Sequence, residues 1–271
     1  QKKPSEINSS YTNEITLYAK WTANTYTITY NANGGSGAPG ATTYTYAASG
    51  TVKLSDTKPT KTGYTFLGWS TSSTAASASY SAGGDWNKSN ANDYTLYAVW
   101  TVNVCTVTYD KNGGTFSSHS TDLTDKKKYG EYFGSDTNGI RNASGGGYYD
   151  ATKKGYHASV SKAWISGSTT FDETQRYLAQ AVCPNLETQS QSVTLKVNWK
   201  KNKCIITYQP NGGTFTTHAD DVSETRYYGD AASDLRNVSG GYYKPTRSGC
   251  TAVGGSGAWC TGAQGNCKFD Q

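Results

Sequence analysis

Methionine is absent from the 271 residues, even at position 1, so the sequence is expected to be a processed chain or an excerpt of a longer one. Charge is sparse too: 17% of residues are charged and the formal net charge is +5. So small a basic excess is compatible with weak attraction to anionic glycans or wall polymers, but it serves chiefly solubility and points to no nucleic-acid partner. No run approaches the length of a membrane span, and no charged stretch followed by an apolar one opens the chain as a signal peptide would. Apolar residues make up 35%, with few Leu, Ile, Val and Phe, a poverty that by itself suggests disorder. What is present argues otherwise. Self-repulsion is weak, and 22 Tyr and 7 Trp are enough to build small cores. Thr, Tyr and Val favour strands, so the composition reads as β-rich and modular rather than as a large α/β enzyme.

Self-comparison decides the organisation. TYTITYNANGG at 25–35 recurs as CTVTYDKNGG at 105–114 and CIITYQPNGG at 204–213. ITLYAKW ending at Trp21 recurs as YTLYAVW ending at Trp100 and VTLKVNW ending at Trp199. Both motifs step by 79 and then 99 positions, and that agreement identifies tandem repeats. A third marker lies between them: KPTKTGYTFLGW ends at Trp69, ATKKGYHASVSKAW at Trp164 and KPTRSGCTAVGGSGAW at Trp259. Each repeat therefore reads as a strand, an Asn-Gly-Gly turn, a second strand, a variable loop, a Gly-Tyr strand ending at Trp, and a closing strand. Tyr26, Ile28 and Tyr30 alternate with threonines as in a half-buried strand, and Asn-Gly supplies the positive-φ positions of a tight hairpin. One helix is expected, over 172–182, with Asp172 as N-cap.

The order of NGG, PTKTGYTFLGW and YTLYAVW over 25–100 resembles the Listeria–Bacteroides repeat, the family of the internalin B B-repeat. The second and third repeats keep the NGG hairpin but depart at His157-Ala158-Ser159 and Leu195-Lys196-Val197. The resemblance implies a small β-grasp, ubiquitin-like fold and tandem display on bacterial surface or secreted proteins. The expected fold class is thus β-rich α+β, with β-grasp repeats in an elongated array. Expected boundaries are a closing strand of a preceding repeat at 1–21, then repeats at 22–100, 101–199 and 200–271, the last incomplete. The connections at 22–24, 101–104 and 200–203 are short, which limits hinge freedom.

All six cysteines fall in the second and third repeats. Cys105 and Cys204 stand where the first repeat has Tyr26, and Cys250 where the others have Tyr64 and Tyr156. Replacing a core aromatic by a thiol is what a small secreted domain does when disulfides supplement apolar burial. Cys105 and Cys183 are the two available in the second repeat and are expected to pair. The third repeat allows three pairings, of which Cys250–Cys260 with Cys204–Cys267 mirrors the second. No ligand spacing suits zinc.

Other motifs favour plain readings. The G-x-G-x-x-G match at 35–40 contains Pro39 and leads into a strand, so it lacks the helix that dinucleotide binding needs. His119 and His218 repeat in register beside Asp122 and Asp220-Asp221, but no nucleophile accompanies them. Asp110-Lys111-Asn112-Gly113 lacks the alternating acids of a calcium loop. Asn8, Asn87, Asn142 and Asn237 head N-x-[ST] triplets, which matter in a glycosylating host alone. No catalytic residue, cofactor or metal is expected. Six tryptophans are accounted for by repeat register; Trp86, in the polar stretch GGDWNKSNAND, is the exception. Local packing is its default, and stacking on a sugar is the sharper reading.

The expected function is a non-enzymatic extracellular stalk or adhesin region on the bacterial cell surface, joined to other domains of a longer protein. One alternative is a module binding glycans or an anionic wall polymer of the host or cell surface through Trp86, Lys126, Lys127, Lys128 and the tyrosines at 148–149 and 242–243. Another follows from the ends. A closing strand at 14–21 has no repeat before it, and the third repeat has no closing strand by Gln271, so residues 14–21 of one molecule would complete the third repeat of the next, giving a head-to-tail filament.

Overall fold

The structure is a computed structural model and describes residues 16, 18–48, 50–87, 91–117, 123–134, 151–210, 212–215, 222–230, 245–246 and 248–249. Residues 1–104 and 184–190 form one compact unit, and 105–183 with 191–271 the other. The chain is β-rich. Compact units and sequence repeats are thus divided differently: the second unit holds most of the second repeat and the third, and the short stretch 184–190 belongs with the first.

The first unit contains β1 (Thr25–Asn31), β2 (Thr42–Thr45), β3 (Val52–Lys53), β4 (Tyr64–Ser70), β5 (Asp85–Trp86) and β6 (Tyr94–Val102). A mixed sheet runs in the order β2-β1-β6-β4. β1 and β2 are antiparallel across the glycine-rich loop, while β1 and the closing strand β6 are parallel, with Ile28 opposite Tyr94 and Asn31 opposite Tyr97. A small core of few aliphatics is closed by rings. Ile28, Tyr30, Tyr44, Leu54, Trp69, Trp86 and Leu96 are buried together. The Trp69 ring lies 4.9 Å from Tyr30 and 5.1 Å from Phe66, between centroids. Aromatic side chains bury large areas each and favour such tilted contacts, which is how an apolar-poor chain escapes disorder.

The second unit begins with β7 (Val104–Asp110), β8 (Thr115–Phe116), β9 (Leu123–Lys128), β10 (Tyr132–Phe133), β11 (Ala151–Thr152), β12 (Tyr156–Ala158), β13 (Trp164–Ser166), β14 (Thr169–Phe171) and β15 (Tyr177–Leu178). After the short helix α1 (Ala179–Val182) come β16 (Gln191–Val197), β17 (Trp199–Lys201), β18 (Lys203–Tyr208), β19 (Thr214–Phe215), β20 (Val222–Tyr227) and β21 (Pro245–Thr246). Its main sheet is ordered β14-β13-β16-β7-β9. β7 and β16 repeat the parallel pairing of the first unit, with Val107 opposite Val193. Trp164 packs 5.0 Å from Tyr109, as Trp69 does on Tyr30. β18 pairs with β20 and β19 with β21.

Two expectations are corrected by this chain path. The helix over 172–182 shrinks to the four residues of α1, because Tyr177–Leu178 is taken up as a strand by β10. Asp172 caps no helix; its carboxylate accepts from the Thr174 amide at 2.8 Å and hydroxyl at 2.6 Å, closing a turn. The Cys105–Cys183 disulfide is formed. Cys204, by contrast, is a free exposed thiol, so the expected bond from Cys204 is not made. In the second repeat α1 carries Cys183 onto the strand bearing Cys105, and the described part of the third repeat holds no such helix. Cys250, Cys260 and Cys267 lie outside the described residues.

Candidate functional site

The NGG turn builds a seat for the closing tryptophan, and the geometry is the same in both repeats that contain one. Asn33 and Asn112 both adopt φ 49°, followed by Gly34 at 84° and Gly113 at 77°, left-handed conformations that Asn and Gly adopt most readily. The residue two before each Asn holds the turn: the Asn33 amide donates to Asn31 Oδ1 at 2.8 Å, and the Asn112 amide to Asp110 Oδ1 at 2.7 Å. Asp110 thus serves a turn. The turn side chains then reach the closing strand, Asn33 Nδ2 donating to the Ala98 carbonyl and Asn112 Nδ2 to the Val197 carbonyl, each at 3.0 Å. Trp100 Nε1 answers by donating to the Ala32 carbonyl at 3.0 Å, and Trp199 Nε1 to those of Lys111 and Asn112 at 3.1 Å. A Cβ on Gly35 would stand 2.7 Å from Trp100 Cζ2, and one on Gly114 2.5 Å from Trp199 Cζ2. The third position of NGG must be glycine because an indole edge occupies the side-chain space.

The connections between repeats hold residues that the sequence reading passed over. Asn103 is the single residue between β6 and β7, and Asn202 the single residue between β17 and β18. Asn103 is 0% exposed. Its amide donates to the Gly63 carbonyl at 2.8 Å. Its Oδ1 accepts from Thr65 Oγ1 at 2.6 Å, and its Nδ2 donates to the Leu186 carbonyl at 2.8 Å. Gly63 N–H donates to the Glu187 carbonyl at 2.7 Å, and Val104 N–H to Ser190 Oγ at 3.0 Å. That set explains why 184–190 belongs to the first unit. Asn202 repeats the core of the pattern: its amide donates to the Gly155 carbonyl at 2.9 Å, and its Oδ1 faces His157 Nδ1 at 2.9 Å. Its carbonyl accepts from the Tyr228 amide at 2.9 Å, as the Asn24 carbonyl accepts from Tyr46. The signal was available, since Trp-x-x-Asn occurs at 21–24, 100–103 and 199–202.

The expected ligand contacts do not come together. Trp86 is 4% exposed. It sits on β5, which pairs with β3, and its ring meets those of Tyr44, Tyr80 and Tyr94 at 5.1 to 6.0 Å. It is a core residue and has no face free for a sugar; pairing of two short strands across the loop turned it inward. Lys126, Lys127 and Lys128 are successive residues of β9, so their side chains alternate between faces: Lys126 and Lys128 are exposed and Lys127 half-buried. His119, His218, Asp122, Asp220, Asp221, Trp259 and the tyrosines at 148–149 and 242–243 lie outside the described residues. Among the described residues, no helix is long and apolar enough to cross a membrane.

With this geometry in place, the family model described as the Listeria-Bacteroides repeat domain matches residues 26–99. The first repeat is a Listeria-Bacteroides repeat. The match runs from the strand before the NGG turn to the residue before the closing Trp100, so it spans the whole seat apart from the indole. Repeats of this family are typical of bacterial surface proteins. No curated protein matches the chain.

Proposed function

We propose that the chain is a non-enzymatic stalk or adhesin region of a bacterial cell-surface protein, a string of β-grasp repeats that projects or connects a binding domain. The observation that carries this reading is the one-residue connection. β6 ends at Val102 and β7 begins at Val104; β17 ends at Lys201 and β18 begins at Lys203. In each case the intervening asparagine is tied by its own amide to the carbonyl of a glycine, Gly63 or Gly155. A flexible tether needs several free residues, and the shortness of these connections supports the proposal of a semi-rigid array. The sheet order with first and closing strands parallel supports the β-grasp reading, the helix being replaced by loops and two-residue strands. The Cys105–Cys183 bond supports an oxidising, extracellular setting.

Small-angle scattering of the monomeric chain tests the array. A compact chain of this length has a radius of gyration of about 18 Å; the stalk requires a clearly larger value with a long, narrow distance distribution. A radius at the compact value overturns it. The glycan alternative loses Trp86 to the core, and glycan-array binding that survives Lys126→Glu with Lys128→Glu would leave it Lys127 and the tyrosines at 148–149 and 242–243.

A further inference from the structure

We propose that the Cys105–Cys183 disulfide is a redox latch on the segment 184–190, and that this segment in turn guards the disulfide from reduction. The inference concerns the first connection alone and stands whether or not the repeats form a stalk. Residues 184–190 form a loop whose two ends return to one residue. Before it, Cys183 is bonded to Cys105. After it, Gln191 stands opposite Cys105 where β16 pairs with β7. Cys183 Sγ lies 3.6 Å from the Gln191 carbonyl oxygen, so the loop is closed at its base. Its bonds to the rest of the first unit fall beside that base. The Leu186 carbonyl accepts from Asn103 Nδ2, the Glu187 carbonyl from the Gly63 amide, and Ser190 Oγ from the Val104 amide. Asn103 and Val104 immediately precede Cys105. Leu186 and both cysteines are wholly buried.

With the disulfide intact, 184–190 opens between two pinned ends. Once it is reduced, the next described anchor before the loop is the Ala179 amide on the Glu131 carbonyl, and the stretch free to open grows to 180–190. Closure entropy rises with the logarithm of loop length, so this lengthening alone favours the open state by about twofold. The coupling is reciprocal, because whatever the disulfide does for the loop the loop does for the disulfide. Reduction requires a thiolate to reach a sulfur. Cys105 lies on β7, between β16 and β9, so the thiolate enters where 184–190 lifts away from Cys183. A dithiol reductant then supplies both electrons. One of its thiolates bonds to Cys183 Sγ, and the S–S bond breaks with its electron pair passing to Cys105 Sγ, which takes up a proton. The second thiolate of the reductant displaces Cys183 Sγ, which is protonated in turn, and the reductant leaves as a disulfide. An oxidising setting thus keeps the loop locked on Asn103, and a reducing one releases it.

Two measurements on the full chain test both directions of the coupling. In the first, dithiothreitol reduces the native protein, and alkylation with peptide mapping follows Cys105 and Cys183 separately from the other cysteines. Asn103→Ala breaks the loop's bond at Leu186, so it should speed reduction by the same factor as it speeds exchange of the Gly63 amide, both rates tracking the open population. Asn202→Ala should leave the reduction rate within about threefold of the parent. In the second, exchange at the Gly63 amide should quicken about twofold or more in the reduced protein, and equally in Cys105→Ala with Cys183→Ala. The Trp69 amide, bonded to the Tyr80 carbonyl, should keep its exchange rate throughout, showing the first unit intact. Reduction indifferent to Asn103→Ala, or Gly63 exchange equal in the oxidised and reduced protein, overturns the proposal. If the double variant unfolds the second unit, the reduction rates of the parent and Asn103→Ala still decide the matter.

Discussion

Asn103 and Asn202 occupy the same repeat position, yet replacing each by alanine should have very different consequences. The Asn103 side chain is wholly buried and makes two bonds, to Thr65 Oγ1 and the Leu186 carbonyl. Alanine removes both. Losing the bond from Thr65 costs about 1 kcal/mol, and losing the bond to Leu186 costs about 1–3 kcal/mol because it orphans a buried carbonyl. A total of about 2–4 kcal/mol follows for the attachment of 184–190 to the first unit. Asn202 is exposed, and water replaces its bond to His157, so Asn202→Ala should cost under about 0.5 kcal/mol. Because the chain forms two compact units, a single global unfolding curve is the wrong instrument. Native-state amide exchange is local. At Gly63 N–H, bonded to the Glu187 carbonyl, Asn103→Ala should speed exchange by about 30- to 1000-fold, at tenfold per 1.4 kcal/mol. At Tyr228 N–H, bonded to the Asn202 carbonyl, Asn202→Ala should change exchange by less than about threefold. Equal effects of the two substitutions, or no acceleration at Gly63, would refute the argument that burial of the asparagine locks the connection.

Three further outcomes are expected. Gly35→Ala or Gly114→Ala should destabilise its repeat by about 1–3 kcal/mol through overpacking on the closing tryptophan, whereas Gly40→Ala, with nothing within 4 Å, should be neutral or slightly stabilising; thermal melts separate the two. Trp86→Ala should cost the first repeat about 3–5 kcal/mol, read as loss of near-ultraviolet dichroism on mild heating, and a wild-type melt would return Trp86 to the surface. Replacing Cys105 and Cys183 by alanine should remove about 2–4 kcal/mol from the second unit, seen as a lower denaturant midpoint that reducing agent no longer shifts.

The closing tryptophans, the NGG turns and the Cys105–Cys183 pair were legible because each depends on spacing or on backbone chemistry local to a few residues. Asn-Gly-Gly dictates left-handed backbone wherever it occurs, and equal offsets between two motifs need no coordinates. Local packing was the default for Trp86, but what it packs against was not legible. Its immediate neighbours in sequence are polar, and its burial needs β3 and Tyr44, which are distant along the chain, to close over it beside Tyr80 and Tyr94. The stretch 172–182 carries helical spacing, but β10 offered Tyr177–Leu178 a strand partner, and tertiary pairing overrode the local preference. Asn103 lay in plain view within a repeated Trp-x-x-Asn, yet an asparagine in a connection reads as a loop residue until 184–190 is seen to fold over it.

The sequence by itself determined the periodicity, the β-rich character and which residues turn the hairpins, since those follow from φ preferences and side-chain alternation. The tertiary structure alone decided what each side chain meets. It put Trp86 inside and split the lysine run between faces. It also left Cys204 uncovered and carried 184–190 into the first unit. Those outcomes depend on contacts between segments far apart in the chain, which no local preference encodes.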